Sequence, residues 1–425
     1  MFIKGMGAAL LSTTVWVSAA QAQEVVEWWD FLSGGDGVRM KTLIDRFNEE
    51  HQGEIQINAT TLEWGTPFYT KVQTSAAVGE GPDVMTYHLS RVPLGVESGV
   101  LSPITEEDMA AAGLTAAEFQ PANIEAASVD GQLYAVPFDI HSLVMYYNKD
   151  ALGAAGLLDE NGLPNLQPGA EGFTAALDAL RAGGLQQPLS VHNSDGSTPW
   201  RVFYSLLGQQ GGQFLDENGE FLAGDNLDKA VRATELMASW VANDYTPANV
   251  EYPASVARFT GGEAAIMING VWEVPTMVDL AAQGELFDWG AVQIPTFFDQ
   301  PATWADSHAF AIPLNQGDEL TPEKRAAVME VIGWMSRNST FWGTAGHLPA
   351  FNPSRESAEF QAMEPNATYA SLAETVVFDP RSPLAGVASP AYDASGNYLL
   401  PAFNGEMDPQ EAMESMRDDL QGQAY

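Results

Sequence analysis

The opening stretch of the chain alternates between two hydrophobic periods, and this alternation limits the possible folds more than any other feature. Glu24 to Phe31 is a strand-like run. Met40, Leu43, Ile44 and Phe47 then fall at i, i+3, i+4 and i+7, the spacing of a helix with one apolar face. Ile55 and Ile57 alternate within Glu54 to Thr60, a second strand, and Phe68 to Val78 has helical character. Gly79-Glu-Gly-Pro82 breaks that helix, and Asp83 to Tyr87 supplies a third strand. A β-α-β-α-β rhythm needs crossover connections, which set strands parallel, so the expected class is an α/β fold. At 425 residues the chain is long enough for two lobes, each with its own core.

Further along, the turn signal Asp130-Gly131 predicts a hairpin within Val129 to Pro137, and Ser142 to Asn148 is β-rich. Ala230, Ala233, Met237, Trp240 and Val241 mark a helix face, as do Val328, Val331, Ile332 and Met335. Gly290 to Pro295 and Ala309 to Pro313 are short apolar strands, and a terminal helix is expected near Pro409 to Leu420. Trp240, Trp334 and Trp289 fit core positions. Two Asp-Glu-Asn-Gly turns, at Asp159 and Asp216, lack the spacing of a calcium loop and read as tight turns.

The first 22 residues have the form of a secretory leader: Lys4, an apolar small-residue run from Gly7 to Ala19, and Ala20-Gln21-Ala22. Cleavage is expected after Ala22. The chain has no cysteine, so neither disulfides nor a lipid-modified cysteine are available to it. Against 18 Lys and Arg stand 56 Asp and Glu, a formal charge of −38. That field repels nucleic acid and anionic membranes, and disfavours an anionic ligand unless the binding region is locally basic. The acidic residues lie along the whole chain, as on a solvated surface suited to a salty medium.

The segment Phe259 to Trp272 combines a short helix start, a small-residue turn, a buried strand from Ala264 to Ile268 and Asn269-Gly270 leading to Trp272. A flat aromatic at a strand's carboxyl end, beside a glycine, forms a stacking surface for a ligand. Gly81-Pro-Asp-Val84, Tyr134-Ala-Val-Pro, Val144-Met-Tyr-Tyr-Asn-Lys-Asp150, Gly261-Gly-Glu-Ala-Ala-Ile-Met, Ile294-Pro-Thr and Phe310-Ala-Ile-Pro313 occur in that order behind Trp28-Trp29. This set resembles the bacterial extracellular solute-binding proteins of the maltodextrin-binding type, which feed ABC importers.

The resemblance implies a periplasmic-binding-protein fold: two discontinuous α/β lobes around a ligand cleft, joined by hinge crossovers. It places crossovers near Val136 to Ser142, Gln293 to Pro295 and Ser336 to Trp342. The first lobe then comprises residues 23–136 plus 294–337, the second 137–293 plus 338–425. It also implies a monomeric periplasmic receptor for a mono- to oligosaccharide, with permease subunits as partners and no cofactor or metal.

A sugar has an apolar C–H face and a rim of hydroxyls, which call for aromatic planes and polar side chains respectively. At strand ends and loop starts the candidates are Trp28, Trp29 and Asp30; Trp64; Tyr87 and His88; and Trp200. Successive strand residues face opposite sides, so one of Trp28 and Trp29, with Trp29 favoured, should face the cleft. The resemblance adds Asp139 and His141 in a crossover, Trp272 as the stacking ring, Trp304, Asp306 and His308 before a strand, and His347 in a late loop. His141 stands where some relatives carry an acidic residue.

A secreted glycoside hydrolase with a Trp-lined cleft is the rival reading, since it too needs aromatics and a carboxylate pair. Among 56 acidic residues some pair always exists, so their number decides nothing. No Gly-x-Ser-x-Gly elbow or His-x-x-x-His spacing occurs. Ser33-Gly-Gly-Asp-Gly37 lacks the Gly-Lys-Ser/Thr of a Walker loop and reads as a turn into the Met40 helix.

Overall fold

A computed structural model describes residues 23–424. The expected leader and its cleavage site lie outside the described residues. No helix among the described residues is long and apolar enough to cross a membrane.

The opening rhythm builds a five-stranded sheet in the order Ile55–Thr61, Glu24–Asp30, Val84–His88, His308–Ala311, Ala135–Pro137. Its first three strands are parallel, with Trp28 opposite Ala59 on one side and Val84 on the other. The last two run antiparallel to their neighbours. The Met40 helix spans Gly34–Glu50, so the glycine-rich segment forms its first turn instead of a loop before it. Met40, Leu43, Ile44 and Phe47 are its buried face.

The second sheet is organised by the strand Asp139–Asn148, whose ten residues are all buried. It pairs antiparallel with Ile266–Gly270, Trp289–Gln293, Thr303–Asp306 and Leu348–Pro349. Leu189–Ser190 and Val376–Phe378 extend the sheet through parallel pairs. Two lobes result, each a sheet with its own helices. Trp240 and Trp334 are buried, and Trp289 packs against the second lobe's smaller core cluster. Asp159 Oδ1 accepts from the amides of Asn161 and Leu163, a tight turn as expected.

The chain changes sheets across single residues. It leaves the first sheet at Pro137 and enters the second at Asp139; it leaves the second at Asp306 and re-enters the first at His308. The two crossings lie side by side. Phe138 N–H donates to the His308 carbonyl at 2.8 Å, and His308 N–H donates to Asp139 Oδ1 at 2.8 Å. The expected crossing near Gln293 to Pro295 is therefore displaced. Trp289–Gln293 stays in the second sheet because it pairs with Val144 to Asn148, and the return comes at Ser307.

Candidate functional site

Where the lobes face each other lies a cleft of about 490 Å³. From the first lobe it is lined by Phe31 to Asp36, Trp64, His88 and His308; from the second by His141, His192, Asp195, Ser197, Arg201, Tyr252, Trp272, Glu273 and Thr276. Phe31 to Asp36, Trp64 and His88 lie at or beyond the carboxyl ends of the three parallel strands, the usual position for a ligand crevice in an α/β sheet, and His308 opens the antiparallel strand beside them.

Trp272 lies in a short turn after Ile266–Gly270. A Cβ on Gly270 would sit 2.2 Å from carbons of the Trp272 ring, so that glycine admits the indole itself rather than a ligand. The indole N–H donates to Tyr252 Oη at 2.7 Å, and Tyr252 donates to Glu273 Oε1 at 2.5 Å. This chain fixes the ring's orientation. Burial raises the Glu273 carboxyl above its ordinary range, opposed by hydrogen bonds from Tyr252 and Thr276. The Arg201 guanidinium lies over the Trp272 ring at 5.0 Å and the Trp304 ring at 4.9 Å, with Trp64 at 5.8 Å. At such distances the cation is held partly by the ring quadrupoles.

The floor carries a cluster of histidines around Asp139. Asp139 Oδ2 accepts from His308 Nδ1 and from the Trp342 indole, both at 2.7 Å. Oδ1 accepts from His141 Nδ1 at 3.1 Å as well as from the His308 amide. His347 Nδ1 lies 3.3 Å from Oδ2, and its Nε2 is 3.0 Å from Asp36 Oδ2. Burial favours a neutral Asp139, but the facing imidazoles of His308 and His347 and the hydrogen bonds outweigh it and hold the carboxyl well below its usual range. Burial drives His141 down to about 3 and His88 well below its ordinary value. His347 goes the other way, because Asp36 and Asp139 overcome its desolvation.

Asp139, His141, His308 and His347 offer ligand atoms within 4.8 Å of one another, as do His88, His141 and Asp306. The first set has the donor chemistry of a zinc site. Both oxygens of Asp139 already accept hydrogen bonds from the chain, so a cation there would have to displace them.

Five of the residues singled out in the sequence meet in the cleft: Trp64, His88, His141, Trp272 and His308. The others do not line it. Trp28 is core, its indole donating to Thr86 Oγ1 at 3.0 Å. Trp29 is half-buried, with the Lys71 ammonium over its ring. Asp30 accepts from the Leu32 amide and borders a separate hollow. Tyr87 packs edge-on against Tyr69. Trp200 and Trp304 are buried, both donating to Asp379 Oδ1, at 2.7 and 3.1 Å. Asp306 is buried and accepts from the amides of Ser90 and Ser307, which joins the lobes instead of meeting a ligand. Asp139 and His347 lie beneath the floor, wholly buried.

Sequence reasoning missed Arg201, Tyr252, Glu273, His192, Asp195 and the segment Phe31 to Asp36. Two signals were available: Arg201 follows Trp200 on a helix, and Glu273 follows Trp272.

The profile of bacterial extracellular solute-binding proteins matches residues 42–368. The chain belongs to that family. It is 24% identical to the maltodextrin-binding protein MdxE of Bacillus subtilis over 315 residues, 72% of this chain and 69% of that protein. A maltooligosaccharide ABC transporter solute-binding lipoprotein of Streptococcus pneumoniae is 24% identical over 397 residues, 88% of this chain and 84% of that one. A galactooligosaccharide-binding protein of Bacillus subtilis is 23% identical, and this chain spans 57% of its length. Among solved structures, maltose-bound MalE3 of T. maritima superposes with a TM-score of 0.78 at 18% identity, covering 95% of this chain and 100% of that one. The GacH receptor of Streptomyces glaucescens gives 0.77 at 18%, covering 94% and 97%. These likenesses establish the two-lobed α/β fold of solute-binding proteins, and the family's members are binding proteins rather than enzymes.

Proposed function

We propose that this solute-binding protein is the exported receptor of an ABC importer. It captures a saccharide between its lobes and delivers it to a membrane permease without chemical change. One observation carries this reading: indole rings from opposite lobes, Trp64 and Trp272, border one small-molecule-sized cleft that also holds polar groups from both lobes. The relatives named for maltodextrins, maltooligosaccharides and galactooligosaccharides support carbohydrate as the ligand class.

The sugar's C–H face stacks on Trp272, and hydroxyls meet Glu273, Tyr252, His141 and Asp195. Contacts to both walls exist together only when the lobes are closed, so the ligand shifts the population toward closure. The paired single-residue crossovers at Phe138 and Ser307 are the hinge of this motion. We assign residues 23–137 with 308–337 to the first lobe and 139–306 with 338–424 to the second. The leader is removed after Ala22, and the mature protein acts as a monomer outside the cytoplasmic membrane.

Calorimetric titration against a saccharide panel tests the reading, alongside an assay for new reducing ends. Saturable binding without turnover is expected, and Trp272→Ala should lose at least about tenfold in affinity while the melting transition persists. New reducing ends would transfer the protein to the hydrolases. Unchanged affinity in Trp272→Ala would remove the ring from the site.

A further inference from the structure

Among the described residues the cleft contains one arginine, and no carboxylate pairs with it. Arg201 is only 7% exposed, yet no carboxylate among the described residues lies within ion-pair distance, and its Nε is buried without an acceptor. Its surroundings are the Trp272, Trp304 and Trp64 rings and the neutral Tyr392 hydroxyl. A guanidinium is always charged and carries five donors. Burying one without acceptors is costly unless a ligand completes it.

The cleft's carboxylates are otherwise engaged. Asp36 faces His347 through Oδ2 while its Oδ1, in the first turn of helix Gly34–Glu50, has no partner among the described residues; Asp195 faces His192 and accepts from Ser197, and Glu273 accepts from Tyr252. Below Arg201, Asp379 takes its hydrogen bonds from two indoles, and burial raises its carboxyl to about 8, toward the neutral form.

On the first-lobe wall the same cleft meets the beginning of the 17-residue helix Gly34–Glu50. Ser33 at its N-cap makes no side-chain capping bond. Among the described residues, the amides of Gly34, Gly35 and Asp36 have no hydrogen-bond acceptor. The first turn of a long helix presents free N–H groups and the positive end of the macrodipole, a ready anion site.

We propose that the saccharide taken by this cleft is acidic: a sugar bearing an oxyanion group, clamped between Arg201 of the second lobe and the first-turn amides of helix Gly34–Glu50 of the first. The inference rests on the receptor reading above and narrows its ligand. It gives a chain of charge −38 one cationic group, Arg201, at which an anion can be held against the surrounding field. Because the two halves of the clamp sit on different lobes, the anion draws them together, and it is the group that most favours closure.

The test is a matched-pair titration of the wild-type protein. Glucose is compared with glucuronate and galactose with galacturonate; glucose 6-sulfate and glucose 6-phosphate show which oxyanion is taken. The acidic member of at least one pair should bind at least about tenfold tighter than its neutral partner. That margin should shrink as sodium chloride is raised from about 0.05 to 0.5 M, since salt screens partly exposed charges. Arg201→Gln should erase the margin between acidic and neutral partners, and Arg201→Lys should restore part of it. If Arg201→Gln does not fold, the wild-type margin and its salt dependence decide. Neutral sugars binding as tightly as their acidic partners would overturn this inference and leave the receptor reading intact. Silence of every saccharide, neutral and acidic, would overturn both.

Discussion

Asp139 and Asp379 lie beneath the same cleft, both buried, and they settle in opposite charge states. Asp139 faces imidazoles and is held well below the usual carboxylate range. Asp379 accepts only from the indoles of Trp200 and Trp304, and burial, reinforced by Asp306, raises it to about 8. The contrast separates two effects usually seen together. At Asp379 the neutral N–H donors both reach Oδ1, leave Oδ2 without a partner among the described residues and do not compensate for the desolvation of a charge. Donors able to carry positive charge satisfy the oxygens and compensate for that desolvation. The anionic centre therefore sits at the crossovers, where it fastens the lobes' junction. The neutral one sits under Arg201, where an ionised carboxylate would cancel the guanidinium's charge.

The harshest way to break this comparison is Asp139→Ala. It strands the His308 amide and ring, the Trp342 indole and the His141 ring in a dry interior. Removing one member of such a buried charged network costs about 3–5 kcal/mol. Urea unfolding at pH 7 should show a loss of that order. A loss below about 1 kcal/mol would mean that the imidazoles do not depend on this carboxylate.

Why the sequence could show part of this and not the rest is visible in particular residues. The α/β rhythm was legible because Met40, Leu43, Ile44 and Phe47 repeat a local period, and local periods are written in sequence. Trp272 was legible because a buried strand ending in Asn269-Gly270 delivers it. Asp139 and Asp306 were mistaken for ligand partners because every residue of Asp139–Asn148 and of Thr303–Asp306 is buried, and burial on both faces of a strand depends on distant neighbours. Trp200 and Arg201 show the same limit at one-residue scale. Consecutive helical positions point about 100° apart, so Trp200 enters the core against Phe214 while Arg201 reaches the cleft. The crossing expected at Gln293 to Pro295 failed because sheet membership is decided by pairing with Val144 to Asn148, far away in the chain.

Asp379→Asn sharpens the comparison from the other side. The amide oxygen can still accept from both indoles, so the folded site keeps its shape. In the wild type, a folded-state value of about 8 against the ordinary carboxyl value of 3.8 means that the folded chain holds a proton the unfolded chain has released. Stability from this group therefore grows as pH falls from 8 toward 4. Between pH 8 and pH 5 the gain amounts to roughly 4 kcal/mol at about 1.36 kcal/mol per unit. The variant lacks it, so its stability relative to wild type should fall by about that amount over the same interval. A difference independent of pH would place an ionised carboxylate under Arg201 and remove the contrast with Asp139.

The smallest expected effect belongs to His141, which lines the cleft and donates to Asp139. Its folded value of about 3 lies below the ordinary 6.5. As pH falls below about 6.5 the unfolded chain takes up a proton that the folded chain refuses, so stability drops until pH nears 3. His347 does not mask this: its raised value makes its contribution complete below its unfolded value, with loss only as pH rises through the folded one. In His141→Gln the side-chain amide can still donate to Asp139, but there is no titration. The wild-type advantage over this variant should therefore shrink by about 2 kcal/mol between pH 7 and pH 5, measured by urea unfolding at each pH. If the gap stays constant, His141 accepts its proton in the folded state, and the anionic centre at Asp139 then holds one more cation than its geometry implies.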